Sequence, residues 1–247
     1  MKRVDIKVNG ARAPHGKKRL RIKVTPLRIG VTVLLVGGLL LAGVALFVRG
    51  WTPARGHFPM QGITLEARSG EINWRMARAA GVDFVYLRAT SGADARDPLF
   101  NDYLGGARAN GMRHGAIHRY DLCRRASEQA TSFIATVPRE AQMLPPTVEL
   151  GFDLPCSERP NRDTLLAELN TFLNQIETHA AKPALIRTSR DFEAAYDIAG
   201  GINRTLWVEG AFFLPDYATR PWVMWTASTW KRVDGIEGPI EWNVVRR

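Results

Sequence analysis

Apolar and polar positions divide the chain into one long uncharged run followed by many short periodic segments. Residues 29–48 contain no charged side chain over twenty positions. A helix of that length spans about 30 Å, the thickness of the hydrocarbon core of a bilayer. The pattern therefore predicts a transmembrane helix over 29–48, a short Gly- and Pro-containing linker over 49–59, and a folded domain over 60–247.

From residue 60 onward, short runs typical of strands alternate with segments of helical periodicity. Strands are predicted at 61–65, 82–88, 115–120, 146–152, 184–187 and 206–208, with helices at 71–77, 100–109, 127–136, 163–179 and 191–198 between them. The last part shows only strand patterns, at 222–225 and 240–244. About five strand–helix units followed by bare strands predict an α/β fold, an irregular TIM-type (β/α) barrel.

Charge is concentrated before the apolar run. The chain has a net charge of +10, and residues 1–28 hold ten Lys or Arg against one acid, Asp5. By the positive-inside rule this basic tail stays in the cytoplasm, so the barrel lies on the periplasmic or extracellular side of the inner (plasma) membrane. A cleaved signal peptide is the competing interpretation, although the run is longer than a usual signal core. Because the basic residues lie in the tail, the folded domain is not expected to bind nucleic acid.

The two cysteines, Cys123 and Cys156, each follow a predicted strand, so both belong to the same rim of a barrel. Outside the cytoplasm they are expected to form a disulfide. The sequence has no CxxC motif or Cys/His cluster, and we expect neither a metal nor a cofactor.

Acidic residues mark the end of the predicted strand at 146–152. Side chains alternate along a strand, which would place Glu149, Gly151 and Asp153 on one face. The C-terminal ends of barrel strands carry the chemistry in this class of fold. The simpler alternative is that these acids belong to a solvated loop.

Several motifs occur in the order and spacing of one enzyme family: GEINW at 70–74, GVDFV at 81–85, RATSG at 88–92, GAIH at 115–118 and EWN at 241–243. Over about residues 60–245 the chain resembles the family 25 glycoside hydrolases, the lysozymes that cut the muramic acid to glucosamine linkage of peptidoglycan. The resemblance implies a groove directed at peptidoglycan glycan strands. His118 and Asn243 are in register with the family's motifs, and together with Trp225 and Asp216 they are candidate substrate contacts. His118, Trp225 and Asp216 could instead have purely structural roles.

The positions that carry the family's chemistry differ in this chain. Thr64 replaces an Asp of the first strand, and Gly151 replaces the Glu that serves as general acid. The remaining catalytic candidates are Glu149, Asp153 and Glu241. On an extended strand Glu149 and Asp153 would lie about 6.6 Å from the position of the missing acid, which is too far for a positioned proton donor.

We therefore expect a membrane-anchored pseudoenzyme that binds peptidoglycan. The alternatives are an active muramidase with reassigned carboxylates and an envelope scaffold with an unknown protein partner. Exposed aromatic side chains around the strand ends would favour glycan binding. A groove filled by Arg68, Arg88 or Arg119 would favour the scaffold.

Overall fold

The computed structural model describes residues 25–246. It begins with helix α1 (Pro26–Gly50), which extends the predicted segment by three residues at its start and two at its end. The helix is long and apolar enough to cross a membrane, and a signal sequence near an N-terminus would meet the same criterion. The predicted basic tail lies almost wholly outside the described residues. The chain from Ala45 onward forms a compact unit of its own.

This unit alternates strands and helices as the sequence predicts. The elements are β1 (Met60–Leu65), α2 (Trp74–Ala79), β2 (Phe84–Ser91), β3 (Ala95–Arg96), α3 (Phe100–Ala109), β4 (Arg113–Arg119), α4 (Ala126–Thr136), β5 (Thr147–Leu150), α5 (Arg162–Ala180), β6 (Leu185–Thr188), α6 (Arg190–Tyr196), α7 (Ile198–Gly201), β7 (Thr205–Glu209), β8 (Met224–Ser228) and β9 (Glu241–Val245). Helix α2 begins three residues later than predicted because Asn73 caps it, accepting a hydrogen bond from the Met76 amide at 3.1 Å.

Eight strands close into a barrel in the order β1, β2, β4, β5, β6, β7, β8, β9 and back to β1. Neighbouring strands are parallel from β1 to β8, whereas β9 runs antiparallel to both β8 and β1. Strand β3 pairs only with the end of β2. The predicted irregular α/β barrel is confirmed. Within the described residues no helix follows β7: β8 pairs parallel with β7 through a connection without a helix, and the antiparallel β9 needs no helical crossover.

Two apolar layers hold the barrel together. The larger lies between the outer faces of the strands and the helices, and includes Leu87, Phe133 and Phe172. The smaller fills the inside of the barrel in its N-terminal half, with members Phe84, Tyr86, Ile117, Leu185, Trp207 and Met224. The C-terminal half of the interior is therefore free for polar side chains.

The predicted disulfide is present. Cys123 and Cys156 are bonded, with their Cα atoms 5.4 Å apart. Cys123 follows β4 and Cys156 follows β5, so the bond joins two adjacent loops at the C-terminal rim.

Candidate functional site

Charged side chains occupy the inner face of the barrel at its C-terminal end. On β6 the inward Leu185 is followed two positions later by Arg187, and on β7 Trp207 is followed by Glu209. Because side chains two apart on a strand share a face, each charged group lies next to the apolar cluster inside the barrel, on its C-terminal side. The barrel interior thus has a layer of charged side chains in its C-terminal half, in contact with the apolar cluster of its N-terminal half.

The first charged group centres on Arg88 of β2. Its guanidinium contacts Glu66 at 3.0 Å and Glu149 at 2.5 Å, and the side chains of Arg88 and Glu149 are both buried. Arg119 lies farther away, at 4.0 Å from Glu66 and 3.9 Å from Glu149. Glu149 is therefore held between two arginines.

The second group centres on Arg187, which is almost completely buried. Its Nε donates to Glu209 at 2.6 Å and its Nη1 donates to Glu241 at 2.5 Å. The guanidinium lies over the Trp207 ring, 5.1 Å from its centroid. One guanidinium thus joins two carboxylates from strands β7 and β9.

The two carboxylates on Arg187 differ in proton affinity. Burial alone would raise the pKa of Glu241, but Arg187 and Arg88 lower it to about 2. Burial raises the pKa of Glu209, and the neighbouring Glu149 and Glu241 reinforce this rise against the effect of Arg187. Three neighbouring glutamates share the positive charge of Arg187 and Arg88, so Glu209 is easier to protonate than Glu241. Glu241 is ionised near neutral pH and cannot serve as a proton donor.

A cavity of about 800 Å³ opens above this layer. Its charged lining residues are Glu66, Arg68, Arg119, Glu149, Asp153, Arg187, Arg190, Asp191, Glu209 and Glu241. A recess of about 260 Å³ shares Glu66, Arg68 and Glu241 with the cavity and has Trp230 on its wall. The lining offers many hydrogen-bond donors and acceptors, which suits a hydroxyl-rich ligand.

The end of β5 differs from the sequence prediction. The strand stops at Leu150 rather than at residue 152, so the expectation that Glu149, Gly151 and Asp153 share one strand face is wrong. The chain turns after Leu150, and a Cβ added to Gly151 would lie 3.0 Å from Asp153 Oδ2. The carboxylate of Asp153 therefore lies beside Gly151, the position that the family resemblance predicts for the general acid.

Thr64 and Asn243 lie in a buried hydrogen-bond chain at the edge of the charged layer. Asn243 Nδ2 donates to Thr64 Oγ1 at 2.9 Å, and Thr226 Oγ1 donates to Asn243 Oδ1 at 2.9 Å. Thr64 also pairs with Glu241 in the β1–β9 register. Thr64 is thus adjacent to Glu241 across the β1–β9 pair.

His118, Trp225 and Asp216 are not among the residues that line the cavity, although Asp216 pairs with Arg190, which does line it. His118 is fully buried, bonded to Thr90 and Gln129 at 2.8 and 3.1 Å, and burial lowers its pKa to about 4. Trp225 is buried and donates from its ring nitrogen to the Gly210 carbonyl at 2.5 Å. Asp216 is exposed and forms an ion pair at 2.6 Å with Arg190. These three side chains have structural partners of their own.

Sequence reasoning missed Glu66, Arg187 and Glu209, and it named Arg88 only as a possible obstruction. The sequence does contain a pattern that identifies Arg187 and Glu209. Each lies two positions after an apolar residue of the same strand, Leu185 and Trp207, and therefore points to the same face as that residue. Within residues 25–246, no group of three His, Cys, Asp or Glu is arranged to hold a metal ion.

Comparisons with known proteins agree with the barrel. A family model described as glycosyl hydrolases family 25 matches residues 65–236. Uncharacterized protein YegX of Escherichia coli (strain K12) is 26% identical over 194 residues, covering 76% of this chain and 70% of that protein. Lysozyme M1 of Streptomyces globisporus is 36% identical over 59 residues, covering 24% of this chain and 20% of that protein.

Two solved structures share the fold. A family 25 glycosyl hydrolase from Bacillus anthracis superposes with a TM-score of 0.70 at 24% identity, covering 80% of this chain and 92% of that one. A bacterial lysozyme from Streptomyces coelicolor gives a TM-score of 0.68 at 22% identity, covering 75% and 91% of the two chains.

Proposed function

The chain belongs to glycosyl hydrolase family 25, and from that premise we propose that it is a membrane-anchored protein that binds peptidoglycan glycan strands without cleaving them efficiently. Relatives named as lysozymes support a role at the cell wall. The cavity of about 800 Å³ is large enough to hold several sugar rings of a glycan strand.

The observation that supports the loss of catalysis is the pairing of two glutamates, the buried Glu149 and the partly buried Glu241, with the buried Arg88 and Arg187. Glycoside hydrolysis needs a protonated acid at the leaving oxygen and a second carboxylate near the developing positive charge. Glu149 is bonded to Arg88 and Glu241 to Arg187, and Gly151 has no side chain. Acid–base assistance contributes about 10²- to 10⁴-fold to the rate, and this site lacks the group that supplies it in the family.

The location of the protein is part of the proposal. Helix α1 would anchor the chain in the plasma membrane, with residues 1–28 in the cytoplasm and the barrel on the periplasmic or extracellular side. The Cys123–Cys156 disulfide is consistent with an oxidising compartment. A glycan-binding barrel on that side would lie in the compartment that contains peptidoglycan.

A second candidate is an active muramidase with reassigned carboxylates. It is favoured by Asp153, whose carboxylate lies beside Gly151, and by Glu209, whose pKa is raised while that of Glu241 is lowered. Environments that push two carboxyl pKa values apart are typical of acid and base pairs in enzymes.

A third candidate, the envelope scaffold, is favoured by the arginines of the cavity. Arg68 and Arg119 line its wall and Arg88 lies beneath. Among the tryptophans after the helix, only Trp230 is among the exposed large apolar residues. Together with the exposed Phe213, this leaves two exposed aromatic side chains at the C-terminal rim for stacking on sugars.

One experiment separates the three candidates. The full-length protein in detergent is incubated with peptidoglycan, and both co-sedimentation and release of reducing ends are measured, with an active lysozyme as positive control. We expect co-sedimentation without reducing ends. Release that disappears in Asp153→Asn or Glu209→Gln would establish the muramidase instead, and absence of both signals would leave the scaffold.

A further inference from the structure

Two loops at the C-terminal rim expose apolar side chains. Phe213 and Leu214, in the loop after β7, are 83% and 61% exposed, and Trp230, after β8, is 61% exposed. Single exposed apolar side chains are normal on a protein surface, whereas a cluster of them marks a site of interaction with a protein or a membrane. In the described chain after α1, the other large apolar residues with such exposure are Met76 and Val223, at 46% and 43%.

Both loops contact the segment in which the chain leaves α1. The Arg232 amide donates to the Arg49 carbonyl at 3.1 Å, and Lys231 Nζ donates to the Gly50 carbonyl at 3.1 Å. On the other side, the Trp51 ring lies 5.2 Å from the ring of Phe212. The exposed apolar residues therefore belong to loops that are held against residues 49–51.

The composition of these loops suits one kind of surface. Arg49 and Arg232 are exposed cations. Residues 210–215 and 228–233 contain no acid, and of the acids that flank them, Asp216 is paired with Arg190 while Asp234 is exposed. Aromatic rings mixed with basic side chains are characteristic of protein segments at the headgroup level of a membrane. Basic side chains near an anionic leaflet are attracted to its surface.

We infer that loops 211–214 and 230–232 form a lipid-contact surface that rests on the headgroups of an anionic membrane. The inference rests on the proposed anchoring by α1, since the segment 49–51 would then emerge at the membrane surface. Ala211 of the first loop and Thr229, immediately before the second loop, line the wall of the cavity. The cavity would accordingly open beside the membrane, where it could reach only membrane-proximal glycan.

The test measures lipid proximity in the full-length protein. Phe213→Cys and Val223→Cys are each labelled with an environment-sensitive fluorophore, without reductant so that the native disulfide stays closed, and the protein is reconstituted in nanodiscs containing nitroxide-labelled lipid. Val223 is the matched control because it is an exposed apolar residue immediately before β8, at the opposite rim. Trp230→Cys repeats the measurement on the second loop.

We expect the nitroxide lipid to quench the label at 213 and at 230 several-fold more than the label at 223. Quenching at 213 and 230 should fall when zwitterionic lipid replaces anionic lipid, and Arg232→Gln should reduce it further. Equal quenching at all three positions would overturn the inference. Protection at 213 that persists without lipid and grows with protein concentration would also overturn it, by assigning the surface to a second copy of the chain. Peptidoglycan is absent from this assay, so its outcome is independent of glycan binding.

Discussion

The buried ion pairs of Arg187 give the sharpest quantitative prediction. Arg187→Met removes the charge but keeps a long apolar side chain above Trp207. Glu209 and Glu241 then lose the guanidinium that binds both of them at 2.6 and 2.5 Å. Removing one partner of a buried ion pair leaves an uncompensated charge and costs about 3–5 kcal/mol of unfolding free energy.

The pKa of Glu241 gives an independent magnitude. It lies at about 2, against an ordinary value of 4.5, and a difference of that size corresponds to about 3 kcal/mol. Because the folded-state pKa is lowered, this stabilisation is present above about pH 4.5 and is lost as the pH falls toward 2. In Arg187→Met the loss of stability should be largest near neutral pH and should shrink as the carboxylates become protonated.

The assay is urea unfolding of the full-length protein in detergent at pH 7 and at pH 3. Arg190→Met is the matched control, since Arg190 also contacts an acid at 2.6 Å but is 62% exposed where Arg187 is 2% exposed. An exposed pair contributes little, so the control should remain close to wild type at both pH values. The reasoning fails if the two variants are equally destabilised, or if the effect of Arg187→Met does not depend on pH.

Further predictions concern the disulfide, the topology and the catalytic positions. Opening the loop with Cys123→Ser should lower the unfolding free energy by about 3–4 kcal/mol, because the bond closes a separation of 33 residues; an unchanged urea midpoint would contradict this. A reporter that is active only in the cytoplasm should be inactive when fused to the C-terminus, and a working fusion would reverse the topology. Gly151→Glu alone should release few reducing ends, since its side chain meets Asp153 Oδ2 and catalytic groups act as a unit. Adding Glu149→Asp and Glu241→Asp should release more, and equal activity of the single and triple variants would argue against this reasoning.

Local sequence patterns were sufficient to predict the barrel. The period-two runs gave the strands, and the fading helical signal after residue 198 correctly indicated bare strands at the end of the chain. That β9 runs antiparallel was not predicted, because strand direction depends on how the last connection returns across the rim. The disulfide was predictable because both cysteines follow strands that are neighbours in a parallel barrel.

The charged layer was harder to predict because its partners are distant in sequence. Arg88 and Glu149 are 61 residues apart, and Arg187 and Glu241 are 54 apart. Alternation shows that each side chain points inward, but only closure of the barrel determines which arginine meets which carboxylate. His118 illustrates the converse, because its motif position suggested ligand contact while its ring lies 4.7 Å from that of Phe172 under the helices.

The position of Asp153 changes the basis of the argument for lost catalysis. Counting residues along an extended strand places its carboxylate too far from the missing acid, but β5 ends at Leu150 and the turn that follows brings Asp153 Oδ2 within 3.0 Å of a Cβ on Gly151. The absence of a side chain at Gly151 therefore does not leave that region of the site without a carboxylate, because Asp153 supplies one. The binding-only function then depends less on Gly151 than on Arg88 and Arg187, because these arginines bind the carboxylates that would have to work with any donor. If the protein does cleave glycan, its proton donor must be an acid other than Glu149 and Glu241. Asp153 meets that condition without an arginine partner among the ion pairs of the charged layer, whereas Glu209, the other candidate, shares Arg187 with Glu241.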